Sequence, residues 1–230
     1  IIMEIINNIN PILTLKQALD IIGGMSFPRK MEVPAIGLPI KYCRTGKKLR
    51  VLQDKKGRVT VCSNCYAGKG AYIQYEYNVA PAQERRRIAI DNPRWVDAFV
   101  YILTHQKQIL KHKAFRWHDS GDIQNPDHLD KIVQIARRTP NIRHWLPTKE
   151  ANDVRNYKGD IPDNLVIRLS GTFVDGSPPN FKHTSVATSD VDKVTCNASL
   201  PKDHPNTQKG CQSCRKCWDA TVKNVAYFNH

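Results

Sequence analysis

Strand-like and helix-like segments alternate along the middle of the chain, and this alternation limits the fold more than any other feature. Phe115–His118 and Arg143–Leu146 are typical of strands, and Asn125-Pro126 predicts the start of a helix between them. A further strand is expected over Leu165–Leu169. Strands separated by helices pair in parallel through right-handed crossovers. The sequence therefore predicts an α/β fold, built as a single-domain barrel or partial (β/α) barrel.

Elements on either side extend this prediction. Thr14 as an N-cap and Gly23-Gly24 as a stop define a short N-terminal helix, and a long helix is expected from Asp91 to about Lys111. Residues 25–58 have no sustained period and predict an irregular segment that leads to a strand near Val59–Val61. Shorter extended pieces are expected at Ser185–Thr188 and Lys193–Cys196.

These elements divide the chain into three parts. Residues 1–24 are expected to form an N-terminal cover helix, and residues 25–195 an α/β barrel-like core. Residues 196–230 are expected to form a cysteine-rich, metal-binding segment that packs on the core.

The seven cysteines fall into two groups. The C-terminal group, which contains a Cys-x2-Cys-x2-Cys motif, consists of Cys196, Cys211, Cys214 and Cys217. Thiolates at this spacing can surround one tetrahedral centre, and both zinc and an iron-sulfur cluster suit four sulfur ligands. In a reducing compartment, grouped thiols are more often metal ligands than disulfides.

The N-terminal group supplies three thiolates, from Cys43, Cys62 and Cys65. Three protein ligands leave an open coordination position, which is typical of a reactive metal centre. A fourth ligand such as His118 would instead close the site and make it structural.

A polar turn follows the strand that ends at His118. His118, Asp119 and Asp122 are the candidate catalytic residues, because such a turn can act as a general base or hold a substrate amine. Ordinary turn chemistry, with caps from Asp119 and Ser120 and a positive φ at Gly121, is an alternative. In a barrel, polar residues at the carboxyl ends of strands face the site.

The charge of the chain favours a polyanionic partner. Lys and Arg number 35 against 21 Asp and Glu, a formal net charge of +14. The basic residues are spread along the chain, which favours contacts to a nucleic-acid backbone, with DNA expected rather than RNA. No apolar run is long enough for a membrane span or a signal peptide, so a cytoplasmic protein is expected.

Five linked motifs resemble the phage gene product 88 family over roughly residues 25–230. They are Cys43-Arg-Thr-Gly-Lys-Lys-Leu, Cys62-Ser-Asn-Cys-Tyr-Ala-Gly-Lys-Gly-Ala-Tyr72, Phe115-Arg-Trp-His-Asp-Ser-Gly-Asp122, Trp145-Leu-Pro-Thr-Lys-Glu150 and Cys211-Gln-Ser-Cys-Arg-Lys-Cys-Trp-Asp219. The resemblance implies a phage protein, in the cytoplasm of the host cell, and no particular activity.

More distantly, Cys-x2-Cys-Tyr-Ala and the acidic turn resemble radical SAM enzymes of the spore photoproduct lyase type. This resemblance implies that the three N-terminal cysteines hold a [4Fe-4S] cluster that binds S-adenosylmethionine. It also implies that Ser120, Gly121 and Asp122 form the cofactor-binding turn. The spacing departs from the usual Cys-x3-Cys-x2-Cys, since Cys43 lies 19 positions before Cys62.

A second distant similarity is to tRNA-guanine transglycosylases, through Asp119-Ser-Gly-Asp-Ile-Gln124. It implies that Asp119 contacts or deprotonates a base and that the last cysteines hold structural zinc. The sequence places no clear nucleophile for this reaction, although Asp190 or Asp192 could serve as one.

Three functions therefore stay open. The first is a radical SAM-like iron-sulfur enzyme, with one or two clusters, that modifies or repairs a nucleic-acid base. The second is a zinc-containing base-exchange enzyme acting on DNA. The third is a non-catalytic nucleic-acid-binding protein in which both cysteine groups are structural metal sites.

Overall fold

The computed structural model describes residues 14–28, 30–52 and 57–229, in which six strands form one parallel sheet. The strands are β1 (Ala35–Gly37), β2 (Ala114–Ser120), β3 (Arg143–Thr148), β4 (Leu165–Ser170), β5 (Thr184–Thr188) and β6 (Asn224–Phe228). Their order in the sheet is their order in the chain, and every neighbouring pair is parallel. The predicted α/β class is confirmed. Within the described residues the sheet is open, because β1 does not pair with β6.

Eight α-helices are described alongside the sheet. They are α1 (Leu15–Ile22), α2 (Arg44–Leu49), α3 (Ala71–Gln74), α4 (Glu76–Ala89), α5 (Trp95–His105), α6 (Lys107–His112), α7 (Pro126–Arg138) and α8 (Ala151–Asn156). Both predicted ends of α1 are present: the Thr14 hydroxyl accepts from Gln17 N, and Gly23 has a φ of 76°. None of the described helices is long and apolar enough to cross a membrane.

Helices cover one face of the sheet. Phe115 and Trp117 of β2 pack with Trp95 and Phe99 of α5 and with Leu146 of β3, in a cluster that also includes apolar residues of α1 and α7. The ring centroids of Phe99 and Trp117 lie 5.0 Å apart. Because side chains alternate along a strand, these residues define the helix-side face.

The C-terminal segment covers part of the opposite face, called the inner face from here on. Trp145 of β3 and Val225 of β6 pack with Cys217 and Trp218 in a second buried cluster. The rings of Trp145 and Trp218 meet edge to face at 5.0 Å. The cysteine-rich segment therefore contributes to the packing of the sheet.

Four elements differ from the prediction. The expected strand near Val59–Val61 is a single antiparallel bridge between Thr60 and Phe173. The expected long helix is broken at Gln106 into α5 and α6, because Gln106 has an extended backbone. Residues 193–196 form no strand, whereas β6 had not been predicted. The segment expected to be irregular contains β1 and α2; its residues 29 and 53–56 lie outside the described residues.

Candidate functional site

Three cysteines from two segments lie in the connection between β1 and β2. Cys43 directly precedes α2, and Cys62 and Cys65 precede the 3-10 helix Tyr66–Gly68. A Cβ atom added at Gly46 would lie 3.1 Å from the Cys43 Cβ and 3.5 Å from the Cys62 Sγ. The fold therefore brings Cys43 close to Cys62 despite their separation in sequence.

The loop that carries Cys62 is fixed by the segment after β4. Val61 N donates to Thr172 O at 2.9 Å, beside the bridge between Thr60 and Phe173. Thr60 Oγ1 also donates to Leu49 O of α2 at 2.5 Å. These bonds hold the Cys62 loop against α2.

Helix α2 is in turn held over the end of β3. Thr45 donates to the Glu150 carboxylate from its backbone N at 2.9 Å and from its hydroxyl at 2.8 Å. Arg44 forms an ion pair with Asp153 of α8. Residues that follow β3 and β4 thus position both cysteine-bearing segments.

Asp122 and Lys149 lie beside these thiols. Asp122 accepts from the Thr148 hydroxyl at 2.6 Å and from Lys149 N at 2.8 Å, and burial raises its pKa to about 6. Lys149 Nζ donates to Gly171 O at 2.5 Å. Burial lowers the pKa of Lys149, while the negative charges of Cys62 and Asp122 oppose that effect.

Burial raises the pKa of two of the N-terminal thiols, those of Cys43 and Cys62, and so favours their protonated form. It is the main cause that raises the pKa of Cys43 to about 12, and the nearby Asp122 carboxylate adds to it. Burial also raises the pKa of Cys62, although Lys149 acts in the opposite direction. Since metals bind thiolates, a cation at this site would have to displace these protons.

The side chains of the polar turn, which spans the end of β2 and the two residues after it, point in three directions. Asp122 faces the N-terminal cysteines, as described above. The Asp119 carboxylate packs against Gly37 of β1, where an added Cβ would lie 2.3 Å from Asp119 Oδ1. The His118 ring lies 5.3 Å from the ring of His128 of α7, and neither of its nitrogens has a hydrogen-bond partner among the described residues. His118 therefore faces the helix side and not the cysteines.

The remaining turn residues have local partners. The Ser120 hydroxyl donates to Leu38 O at 3.0 Å and accepts from Gln83 Nε2 at 2.8 Å. Gly121 has the predicted positive φ, 77°, and a Cβ there would collide with the Leu38 backbone. The turn is therefore locked against the segment that follows β1.

Tyrosines border the site on the solvent side. The Tyr66 ring is 56% exposed, yet its hydroxyl donates to Asp119 O and accepts from Arg116 Nη2 at 3.1 Å. The ring of Tyr72 meets it edge to face at 6.0 Å, and Tyr77 is 96% exposed. An exposed ring next to a buried polar site can stack on a planar ligand.

The C-terminal cysteines lie along the inner face. Cys196 N donates to Ala226 O of β6 at 3.1 Å, and Cys211 N donates to Lys30 O at 2.7 Å. Gly210 allows this second contact, since a Cβ there would lie 2.4 Å from Lys30 O. Two backbone anchors thus bring distant parts of this group to the same end of the molecule.

Cys217 is the most buried of the C-terminal thiols. Its Sγ lies 3.1 Å from the Tyr227 hydroxyl. Burial raises its pKa to about 12, against the hydrogen bond from Tyr227, and charges on Cys196 and Cys211 would raise it further. Cys214 acts in the same way on Cys196 and Cys211, whose pKa values burial also raises. The four thiols are therefore electrostatic neighbours.

Among the described residues, no group of three or more His, Cys, Asp or Glu side chains has an arrangement that could hold a metal ion. Both predicted metal sites remain predictions. Asp190 and Asp192, the predicted nucleophiles of the base-exchange hypothesis, lie at the turn after β5, where Asp190 pairs with Lys193 at 3.0 Å.

Sequence reasoning assigned no role to several residues that build these sites. Glu150, Gln83 and Arg168 are buried, and Arg116 donates to the Tyr66 hydroxyl. A charged residue inside an apolar strand pattern is the signal that could have found Arg168, which lies within the predicted strand Leu165–Leu169.

Comparison with known proteins supports one relationship. A family model described as Gene product 88 matches residues 41–220, a stretch that includes both cysteine groups and the polar turn. No curated protein and no solved structure matches the chain. None of these comparisons supports the more distant similarity to radical SAM enzymes.

Proposed function

We propose that this chain, which belongs to the gene product 88 family of phage proteins, is a radical SAM-like iron-sulfur enzyme that modifies or repairs a nucleic-acid base. The observation that carries the proposal is the position of Cys43, Cys62 and Cys65. All three lie between β1 and β2; Cys43 and Cys62 lie beside Asp122, the last residue of the polar turn, and the charge of Cys65 acts on both. Three sulfur ligands leave room for a non-protein ligand, as a reactive centre requires.

The topology of the sheet supports the same reading. Consecutive parallel strands without a change of direction are how a (β/α) barrel is wound, and their carboxyl ends then face one site. We interpret the open six-stranded sheet as a partial barrel, with residues 25–195 as its core, helix α1 as its cover and residues 196–230 as a metal-binding segment. Residues 1–13 of the predicted cover lie outside the described residues.

The donor set, three cysteine side chains, is chemically that of a three-thiolate cluster. Cys43, Cys62 and Cys65 would hold it, and when bound it would supply the electron that cleaves S-adenosylmethionine. Lys149 lies beside Cys62 and offsets the negative charge of its thiolate. The Asp122 carboxylate would bind the positively charged amine of the cofactor, with Ser120 and Gly121 shaping the turn around it.

Charge and exposed rings suggest a nucleic acid as the substrate. Lys47, Lys48 and Lys69 are exposed close in sequence to the N-terminal cysteines, and the exposed faces of Tyr66 and Tyr77 could stack on bases. Such a substrate, DNA in preference to RNA, fits a phage protein at work in the host cytoplasm. Binding should weaken steeply as salt is raised, because each phosphate contact releases counterions.

The first test is metal and sulfide analysis of anaerobically purified protein, with Cys62→Ser and Cys214→Ser as a matched pair. We expect iron and sulfide in the wild type and a loss in Cys62→Ser that is separate from any loss in Cys214→Ser. Unchanged iron and sulfide in Cys62→Ser would remove the basis of the proposal.

The second test is reductive cleavage of S-adenosylmethionine by the reconstituted protein, with and without single-stranded DNA. Cleavage in the wild type but not in Cys62→Ser is the expected result. A zinc-containing protein that cleaves no S-adenosylmethionine would instead leave base exchange or binding alone. Base exchange through Asp119 is less well supported than binding without catalysis, because the Asp119 carboxylate packs directly against Gly37 of β1.

A further inference from the structure

Arg168 is a buried cation without a carboxylate partner. Its side chain is fully buried in the inner face, and no ion pair joins it to any described carboxylate. The guanidinium donates only to backbone carbonyls, including Lys216 O at 2.8 Å, Cys217 O at 3.0 Å and Asp219 O at 2.9 Å. An ionised group taken out of water normally requires an opposite charge nearby.

Arg116 is a second cation on the same face. Its guanidinium lies 4.7 Å from the centre of the Trp145 ring, and its buried Nε has no hydrogen-bond partner among the described residues. Its charge acts on both Cys211 and Cys217. Asp119 also lies near Arg116 but shares its charge with Arg86.

Both arginines therefore act electrostatically on the C-terminal thiols. The partly exposed Asp219 carboxylate also acts on Arg168, but it forms no ion pair with it, and neutral thiols would leave this distant charge to offset a fully buried cation. Four thiolates around a divalent ion, or around a [4Fe-4S] cluster in its oxidised resting form, leave a net charge of minus two. Arg116 and Arg168 together carry the matching two positive charges.

We propose that Cys196, Cys211, Cys214 and Cys217 form a dianionic tetrathiolate metal centre, and that Arg116 and Arg168 are its built-in counter-ions. The Tyr227 hydroxyl lies 3.1 Å from Cys217 Sγ and would donate a further hydrogen bond to the thiolate of this centre. The proposal is independent of the reaction assigned to the N-terminal cysteines. It makes Arg168 a positioning residue that holds the loop through carbonyls and offsets its charge at the same time.

The thiol count is measured first, on a Cys43→Ser, Cys62→Ser, Cys65→Ser triple variant that removes the other site. Alkylation followed by mass spectrometry should show four protected thiols in the metal-loaded protein and four reactive ones after chelation. Metal analysis distinguishes the two centres that would carry a net charge of minus two. Zinc without sulfide indicates a single ion, and iron with sulfide indicates a cluster. Fewer than four protected thiols, or no bound metal, overturns the proposal even if the N-terminal site is active.

The same measurement on the wild type keeps the proposal testable if the triple variant does not fold. Protection of Cys196, Cys211, Cys214 and Cys217 is then read peptide by peptide. Ser213→Ala, a change at an exposed residue within the loop, is the control and should protect all four thiols, whereas Cys214→Ser should weaken protection of the other three.

The counter-ion role is tested by comparing Arg168→Gln with Arg168→Lys. Competition with a chelator measures the apparent affinity for added Co²⁺ or Zn²⁺. We expect roughly a 10- to 100-fold loss in Arg168→Gln, the range found when groups around a metal site are removed, and a much smaller loss in Arg168→Lys, which keeps the charge. An equal loss of metal affinity in the two variants would mean that Arg168 only binds the loop carbonyls, and it would refute the counter-ion role of Arg168. Arg116→Gln and Arg116→Lys repeat the comparison at the second cation.

Discussion

The two faces of the sheet are built on different chemistry. On the helix side, the buried polar ring of His144 is satisfied within the chain: its Nδ1 accepts from Trp117 Nε1 at 3.2 Å and its Nε2 bonds the Thr139 hydroxyl at 2.9 Å. On the inner face, Arg168 is buried among carbonyls and faces thiols. The comparison teaches that the helix side is held by apolar and aromatic packing around neutral polar rings, whereas the inner face buries a cation beside the C-terminal thiols.

The largest effect is expected from a core change on the helix side. Phe99 is fully buried and contacts Trp95 at 4.6 Å and Trp117 at 5.0 Å between ring centroids. Phe99→Ala should lower the free energy of unfolding by about 3–5 kcal/mol, because it removes apolar burial and leaves a cavity. Denaturant unfolding measures this loss. The metal content of each folded molecule should not change, and a loss of metal in Phe99→Ala would show that the two faces are not independent.

Metal removal is the corresponding test on the inner face. With metal at about a hundred times its dissociation constant, chelation should lower the free energy of unfolding by about 3 kcal/mol. Hydrogen exchange should quicken in the segment around Cys211–Trp218 and stay slow in α5 and α7. Faster exchange in α5 to the same degree would contradict a division of stability between the faces.

Acid should destabilise the helix side through its buried histidines. Burial lowers the pKa values of His128 and His144 from 6.5 to about 3, so the folded protein keeps these rings neutral where the unfolded chain takes up protons. Stability is therefore lost as pH falls below 6.5, by about 2 kcal/mol per histidine at pH 5. Unfolding free energies at pH 7 and pH 5 measure it. His144→Asn should remove its own share of this pH dependence, about 2 kcal/mol at pH 5, whereas a change at the exposed His105 should leave it intact.

Local sequence signals were enough to predict the helices whose ends are set by residues next to them in the chain. The N-cap Thr14, the stop at Gly23 and the Asn125-Pro126 start each act within a few residues, and the structure contains all three. Helix α4 lacks an apolar period and contains Pro81, and tertiary bonds hold it instead, such as Arg86 Nη2 to Met25 O at 2.8 Å. Strand β6 depends on pairing with β5 across the whole cysteine-rich segment.

The sequence predicted which residues form the candidate site, but not the directions in which their side chains point. The sequence placed His118, Asp119 and Asp122 in one polar turn, and the structure turns only Asp122 toward the cysteines. The cause is the backbone of β2: His118 has a φ of 56°, and the pairing register with β1 shifts at this point, so the alternation of side chains is broken. Such an irregularity follows from packing against β1 and leaves no local sequence signal.

The smallest change in the free energy of unfolding is expected at Asp122, the carboxylate beside the N-terminal cysteines. Burial raises its pKa from 3.8 to about 6, so the folded protein holds a proton more tightly than the unfolded chain, and stability is gained as pH falls through 6. Asp122→Asn keeps an oxygen to accept from Thr148 but removes this titration. Between pH 7 and pH 5 the wild type should therefore gain about 1 kcal/mol of unfolding free energy relative to Asp122→Asn. Denaturant unfolding at the two pH values measures the difference, and Asp127→Asn, at an exposed carboxylate of α7, is the control. A constant gap between wild type and Asp122→Asn would mean that Asp122 is ionised throughout this range, with its charge already balanced by Lys149.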